Sequence, residues 1–245
     1  MSLNYPRLAR NDLMTPDPDG ARAFYAAIAG WAYSGHTIDA GGQTIGGVMG
    51  LDGAAGLPAH WMPYIAVADV DAALARATEL GGEVCQAGFD LPGLGRFGIL
   101  SDPAGAWVSL MTFEATPGHY EGGERGRYCW FELVSRDVGA CAAFYAALLG
   151  WDAGHRSVGD VDDYVMFSVD GQPVAGLTGA PMADTASHWL GYIAVEDIDA
   201  AVAQAQALGA SLLHGPRTAA GVGRVATIRD PQGAVVALWG IGTRP

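Results

Sequence analysis

Basic side chains are scarce in this chain: 13 Lys and Arg stand against 26 Asp and Glu, a formal charge of −13 at pH 7 over 245 residues. Binding a polynucleotide requires clustered cations to displace phosphate counterions, so this balance argues against nucleic acid as a partner. It disfavours an anionic membrane surface for the same reason. Cysteine is sparse too. Cys85, Cys129 and Cys141 form an odd set with no CxxC spacing, which speaks against a disulfide framework or a zinc site and fits reduced thiols in a cytoplasmic protein. No apolar run approaches the ~18–20 residues of a membrane span. The first residues lack the basic-then-apolar order of a secretory leader. The hydrophobic share of 50% excludes an intrinsically disordered chain.

Glycine, by contrast, is abundant, at 36 residues. No collagen period accompanies it, so the glycines mark turns, bulges and close backbone approaches. Many recur at fixed offsets, because the chain repeats itself. FYAAIAGW from Phe24 returns as FYAALLGW from Phe144, with six of eight positions identical. HWMPYIAVADVDAALARATELGG from His60 returns from His188 with fourteen of 23 positions identical. GLGRFGILSDPAGAWVSLM from Gly93 returns from Gly221 with nine of 19 identical. The offset is 120 at the first block and 128 at the other two, so about eight extra residues enter between Trp151 and His188. SVGDVDDY and PMADTAS are the natural places. The duplication divides the chain into residues 1–114 and 126–245, with the polar, glycine-rich 115–125 as linker.

Each half also has an inner rhythm. A strand (Leu8 to Met14, or Arg127 to Val134) precedes a helix opened by Asp17-Pro18 and ending before Gly30. Short strands follow, with hairpin signals at Gly41-Gly42 and Asp170-Gly171. Tyr64 to Val67 restarts the pattern, and Asp69 caps a helix whose Val70, Ala73, Leu74, Ala77 and Leu80 keep the helical period. The closing hairpins turn at Asp102-Pro103-Ala104-Gly105 and Asp230-Pro231-Gln232-Gly233, which have type I turn preferences. The expected fold class is α+β: four βαβββ modules, paired into two domains.

The FYxxxxGW opening, the DVDAAxxxAxxLGG unit and the DPxGxxxxL hairpin, in this order and duplicated, resemble the vicinal oxygen chelate superfamily of glyoxalases, bleomycin-resistance proteins and extradiol dioxygenases. The resemblance covers nearly the whole chain twice and is similar to bacterial double-domain glyoxalase-like proteins. It implies sheets that curl around small-molecule cavities. In metal-dependent members it also implies ligands at three strand positions. Here these are Arg10, Met62 and Ser109 in the first half and Trp130, Leu190 and Ala237 in the second. None is a histidine or carboxylate, so neither a metal nor another cofactor is expected.

Side chains two apart on a strand share a face. Residues flanking the old ligand positions therefore face the same cavities: Asp12, His60, Tyr64, Trp107 and Met111 in one half, and Glu132, His188, Tyr192, Val235 and Trp239 in the other. Asp12 with His60, and Glu132 with His188, are candidate acid/base pairs. Alternatively, the two histidines sit at the strand lip and bond the backbone. Candidate ligand contacts are Trp130, Tyr192, Trp239 and Arg224 in the second half and Arg10, Tyr64, Trp107 and Arg96 in the first. Arg96 and Arg224 either hold an anionic group at a cavity mouth or pair with Asp102 and Asp230 across the final hairpin. Trp31, Trp61, Trp151 and Trp189 read as core or domain-contact residues. Arg10 against Trp130 makes the second cavity the better apolar site. Two function classes follow. One is a binding protein that holds a small metabolite or drug without metal. The other is a metal-free lyase or isomerase, with metal-dependent glyoxalase or dioxygenase chemistry a more distant third. The repeat demands no second chain, and homodimerisation stays open.

Overall fold

A computed structural model describes residues 6–51, 56–114, 123–159 and 161–242. The four βαβββ modules are β1 (Arg7–Thr15), α1 (Pro18–Ala29), β2 (Ala32–Ser34), β3 (Thr37–Ala40), β4 (Gln43–Gly50); β5 (His60–Ala66), α2 (Val70–Glu79), β6 (Glu83–Leu91), β7 (Gly95–Ser101), β8 (Trp107–Phe113); β9 (Tyr128–Ser135), α3 (Val138–Leu149), β10 (Asp152–Val158), β11 (Val161–Val169), β12 (Gln172–Gly179); and β13 (His188–Val195), α4 (Ile198–Ala207), β14 (Ser211–Ala219), β15 (Gly223–Arg229), β16 (Val235–Gly240). All four described helices begin where the sequence supplies a cap. Asp17, Asp69, Asp137 and Asp197 each accept a backbone N–H from three residues on. Gly30 and Gly150 end α1 and α3 in the left-handed region.

The strands form two mixed sheets of eight, ordered β2-β3-β4-β1-β5-β8-β7-β6 and β10-β11-β12-β9-β13-β16-β15-β14. Each sheet draws on one half of the chain. The expected linker, 115–125, falls mostly outside the described residues. Strand alternation sorts the faces. Leu13, Ile65 and Leu110 of the first sheet join Phe131, Leu133, Ile193 and Leu238 of the second in one core that also takes in the helices. Met62, Tyr64 and Met111 form a separate cluster on the first sheet's opposite face. Val134, Leu190 and Ala237 do so on the second.

The halves interlock through that shared core. α1 packs on β4 of its own sheet and on α4 and β13 of the other, and α3 meets α2. The Tyr25 hydroxyl donates to Asp230 at 2.9 Å, and the Tyr145 hydroxyl reaches Asp102 at 3.3 Å. The indole of Trp31 donates to the Gly126 carbonyl and that of Trp151 to the Pro6 carbonyl. The repeated tyrosines, tryptophans and turn aspartates are thus one set of contacts made twice.

The extra residues of the second half lie in one place. β2 and β3 have three and four residues, whereas β10 and β11 have seven and nine. The loop between β12 and β13 is no longer than the one between β4 and β5. The insertion therefore belongs to SVGDVDDY and not to PMADTAS.

Candidate functional site

A cavity of about 1030 Å³ opens on the face of the second sheet that points away from the shared core. Its floor comes from alternate residues of β9 and β13. Trp130, Glu132 and Val134 face it, as do His188, Leu190 and Tyr192. The intervening Phe131, Leu133, Trp189 and Ile193 point into the core. Register fixes the pairings across the floor: Glu132 opposite Leu190, Tyr192 opposite Trp130, and His188 opposite Val134. The long β10–β11 hairpin raises one wall through Val158, Val161 and Tyr164, β14 supplies His214 and Arg217, and β16 supplies Val235 and Trp239.

One polar network stands on this apolar floor. The Tyr192 hydroxyl donates to Glu132 Oε1 at 3.1 Å, and Tyr164 also hydrogen-bonds the Glu132 carboxylate. Trp130 Nε1 donates to the Tyr164 oxygen at 2.9 Å. Tyr164 reaches this position because β12 carries Gly176 opposite Glu132: a Cβ there would collide with the Tyr164 hydroxyl. Burial pushes the Glu132 carboxyl above its ordinary value, although the two tyrosine hydrogen bonds and the Arg217 charge pull it down. Burial and the neighbouring carboxylate raise Tyr164 and Tyr192, so both remain protonated donors.

The first half departs from this plan. Arg10 donates from Nε to Asp12 Oδ1 at 2.7 Å, both side chains being buried. Gly47, opposite Asp12, gives the Arg10 guanidinium the close approach that Gly176 gives Tyr164. Tyr64 also bonds Asp12 and packs edge-on against Phe97. Phe89, Phe97, Met62 and Met111 cluster on the same face. Burial raises Asp12, with Arg10 opposing. The carboxylate expected to meet a ligand is thus engaged by an internal cation.

Several expected residues sit differently from the sequence reading. Arg96 forms a two-pronged pair with Asp71 of α2 and reaches Asp90. Arg224 likewise grips Asp199 of α4. Neither pairs with Asp102 or Asp230, and neither lines the cavity: each alternates off the cavity face and clamps its strand to a helix, α2 for Arg96 and α4 for Arg224. The acid/base pairings differ as well. The hydrogen bonds of Glu132 go to tyrosines, and those of Asp12 to Arg10, Tyr64 and a backbone N–H. His60 and His188 bond the carbonyls of Pro58 and Ala186 through Nδ1, at 2.8 Å each. A carbonyl only accepts, so Nδ1 carries the proton. Trp107 is 39% exposed and edge-on to His60. Trp239 lines the cavity, its indole donating to the Val222 carbonyl.

Tyr164, Arg217 and His214 line the cavity without having been singled out in the sequence. Tyr164 carried one signal, as the last residue of the inserted SVGDVDDY. The other two lie on β14, outside the repeated motifs.

The donor set does not suit a divalent metal. Among the described residues, no group of three or more His, Cys, Asp or Glu side chains stands together. Glu132 is the one carboxylate among the described cavity-lining residues, and it accepts hydrogen bonds from two tyrosines. Likewise, no described helix is long and apolar enough to cross a membrane.

Comparison with known proteins places this geometry. The model of the glyoxalase-like domain matches residues 11–111 and 130–239. The protein named "Putative glyoxylase CFP32" in Mycobacterium tuberculosis is 31% identical over 239 residues, covering 93% of this chain and 92% of the relative. "Anthracycline biosynthesis protein DnrV" of Streptomyces peucetius is 34% identical over 250 residues, covering 91% and 89%. In fold, the chain is similar to a Mn(II)-bound glyoxalase from Novosphingobium aromaticivorans, with a TM-score of 0.63, 17% identity, and 98% and 85% of the two chains covered. It is also similar to homoprotocatechuate 2,3-dioxygenase from Brevibacterium fuscum, with a TM-score of 0.63, 18% identity, and 100% and 90% covered. This chain shares the scaffold of that manganese-bound glyoxalase, while the three second-half positions at which the resemblance implies metal ligands hold Trp130, Leu190 and Ala237. The chain belongs to the glyoxalase-like family of the vicinal oxygen chelate superfamily, with two such domains in tandem.

Proposed function

We propose that this chain binds a small aromatic metabolite or drug in the cavity of its second half and holds it through its own side chains, without a metal. The observation that carries this reading is a cavity of about 1030 Å³ lined by Trp130, Tyr192 and Trp239, with Glu132 as its one described carboxylate. Ligand sites of this kind are concave, mostly apolar, and oriented by a few convergent polar groups. Two Streptomyces relatives are named for anthracycline biosynthesis. A planar, multi-ring compound of that type has the apolar faces that such walls stack on. The first half supports the second through the shared core, its own carboxylate being tied to Arg10.

Fluorescence titration with an anthracycline aglycone tests this. Wild-type protein is expected to quench saturably, with Trp239→Leu weakening binding about tenfold, the loss of one stacked aromatic contact plus buried area. Equal affinity in wild type and Trp239→Leu contradicts the assignment.

A second reading is a metal-free lyase or isomerase, favoured by one observation. Glu132 has a raised pKa and faces the ligand space with two tyrosine donors at its back, the arrangement of a general base poised for proton transfer. His188, on the same floor with Nδ1 committed to Ala186, has Nε2 as its other ring nitrogen. Turnover of a bound ligand that survives Glu132→Gln removes this reading and leaves binding intact.

A further inference from the structure

The hydrogen bonds around Glu132 run in one direction. An indole N–H only donates, so the Tyr164 oxygen accepts from Trp130 and its single proton must go elsewhere. That proton goes to Glu132. Tyr192 donates to the same carboxylate from the other side. The chain Trp130→Tyr164→Glu132←Tyr192 therefore ends on an acceptor. A carboxylate has about four lone-pair sites, and two remain beyond those the tyrosines fill. The side chain lines the cavity, so those sites are presented to whatever enters. In the first half the equivalent Asp12 already takes a guanidinium, a tyrosine and the backbone N–H of Gly47, and its side chain is only 2% exposed.

Resting on the reading of this cavity as a ligand site, we propose that it selects aromatic ligands bearing a phenolic or enolic hydroxyl, which donates to Glu132, over the same ring systems with that hydroxyl capped. Leu190, opposite Glu132, and Val134, two residues along the strand, are apolar. An ether oxygen at this spot offers no proton and leaves the two open lone-pair sites of the carboxylate desolvated without a donor, a cost for a polar group shut off from water. Tyr164 is the positioning residue. It fixes which lone pairs stay open, and it is present because the β10–β11 hairpin is longer than its counterpart.

1-Hydroxypyrene and 1-methoxypyrene are matched fluorescent probes for this test, titrated at pH 7 into the full chain. Wild-type protein is expected to bind the hydroxyl probe at least tenfold more tightly. Glu132→Met keeps side-chain length and removes the acceptor, and should bring the two affinities within about twofold. Trp130→Phe keeps a ring but frees the Tyr164 hydroxyl to turn, and should give an intermediate preference. Equal binding of both probes by wild type overturns the proposal while leaving the cavity a ligand site. A preference that persists in Glu132→Met also overturns it. Binding of neither probe overturns the underlying reading and the proposal with it. Near-ultraviolet circular dichroism of each variant verifies that its tertiary packing is kept.

Discussion

Glu132 and Asp12 occupy equivalent strand positions, yet their neighbours give them different chemistry. Asp12 is hydrogen-bonded by a guanidinium and one tyrosine, whereas Glu132 is hydrogen-bonded by two tyrosines and feels Arg217 only through its charge. Burial raises the folded-state pKa of both. For Glu132, the folded chain therefore holds its proton to higher pH than the unfolded chain, whose value is about 4.3. Between those two values, stability falls as pH rises, and above the folded value the loss is complete. Glutamine does not titrate. The melting temperature of wild type relative to Glu132→Gln should thus fall from pH 4 to pH 8, and a pH-independent difference would contradict the assignment. The faces of Glu132, His188, Tyr192 and Trp239 were legible in the sequence, because strand parity decides them. The roles of Arg96 and Arg224 were not. Both arginines sit on strands packed against a helix, and their partners Asp71 and Asp199 lie 25 residues away along the chain.

At the scale of elements, the caps, turns and strand starts could be read directly, since each rests on local chemistry such as Asp17 with Pro18 or Asp102 with Gly105. The β10–β11 hairpin could be counted but not placed, because eight extra residues leave no local mark of where a strand lengthens. Its consequence is Tyr164 at the cavity wall. Gly176 makes this possible, so Gly176→Ala should push the Tyr164 ring off Glu132. Overpacking of this kind costs about 1–3 kcal/mol. Chemical denaturation should show that loss, together with weaker binding of a hydroxyl-bearing probe. Unchanged stability would mean that Tyr164 can move aside without cost.

The whole molecule is two copies of one half, locked by reciprocal contacts. Asp102 and Asp230 each turn a hairpin and receive a tyrosine from the other half. The motifs were visible in the repeat, but their exchange between halves was not, because sequence offset does not reveal which copy a side chain meets. Tyr25→Phe removes the proton donated to Asp230 Oδ2. Leaving such a buried acceptor short of a partner costs about 1–3 kcal/mol. Unfolding should remain one cooperative transition at lower denaturant, since the core is continuous across both halves. Two separate transitions would show the halves to be independent.

The same asymmetry, the first half's carboxylate held by Arg10 and the second half's lining a cavity, predicts the stoichiometry of binding. Isothermal titration calorimetry with an anthracycline aglycone measures it directly. One ligand per chain is expected, with binding abolished by Leu190→Trp, which fills the floor opposite Glu132. Two equivalent sites per chain, or binding that survives Leu190→Trp unchanged, would contradict the account.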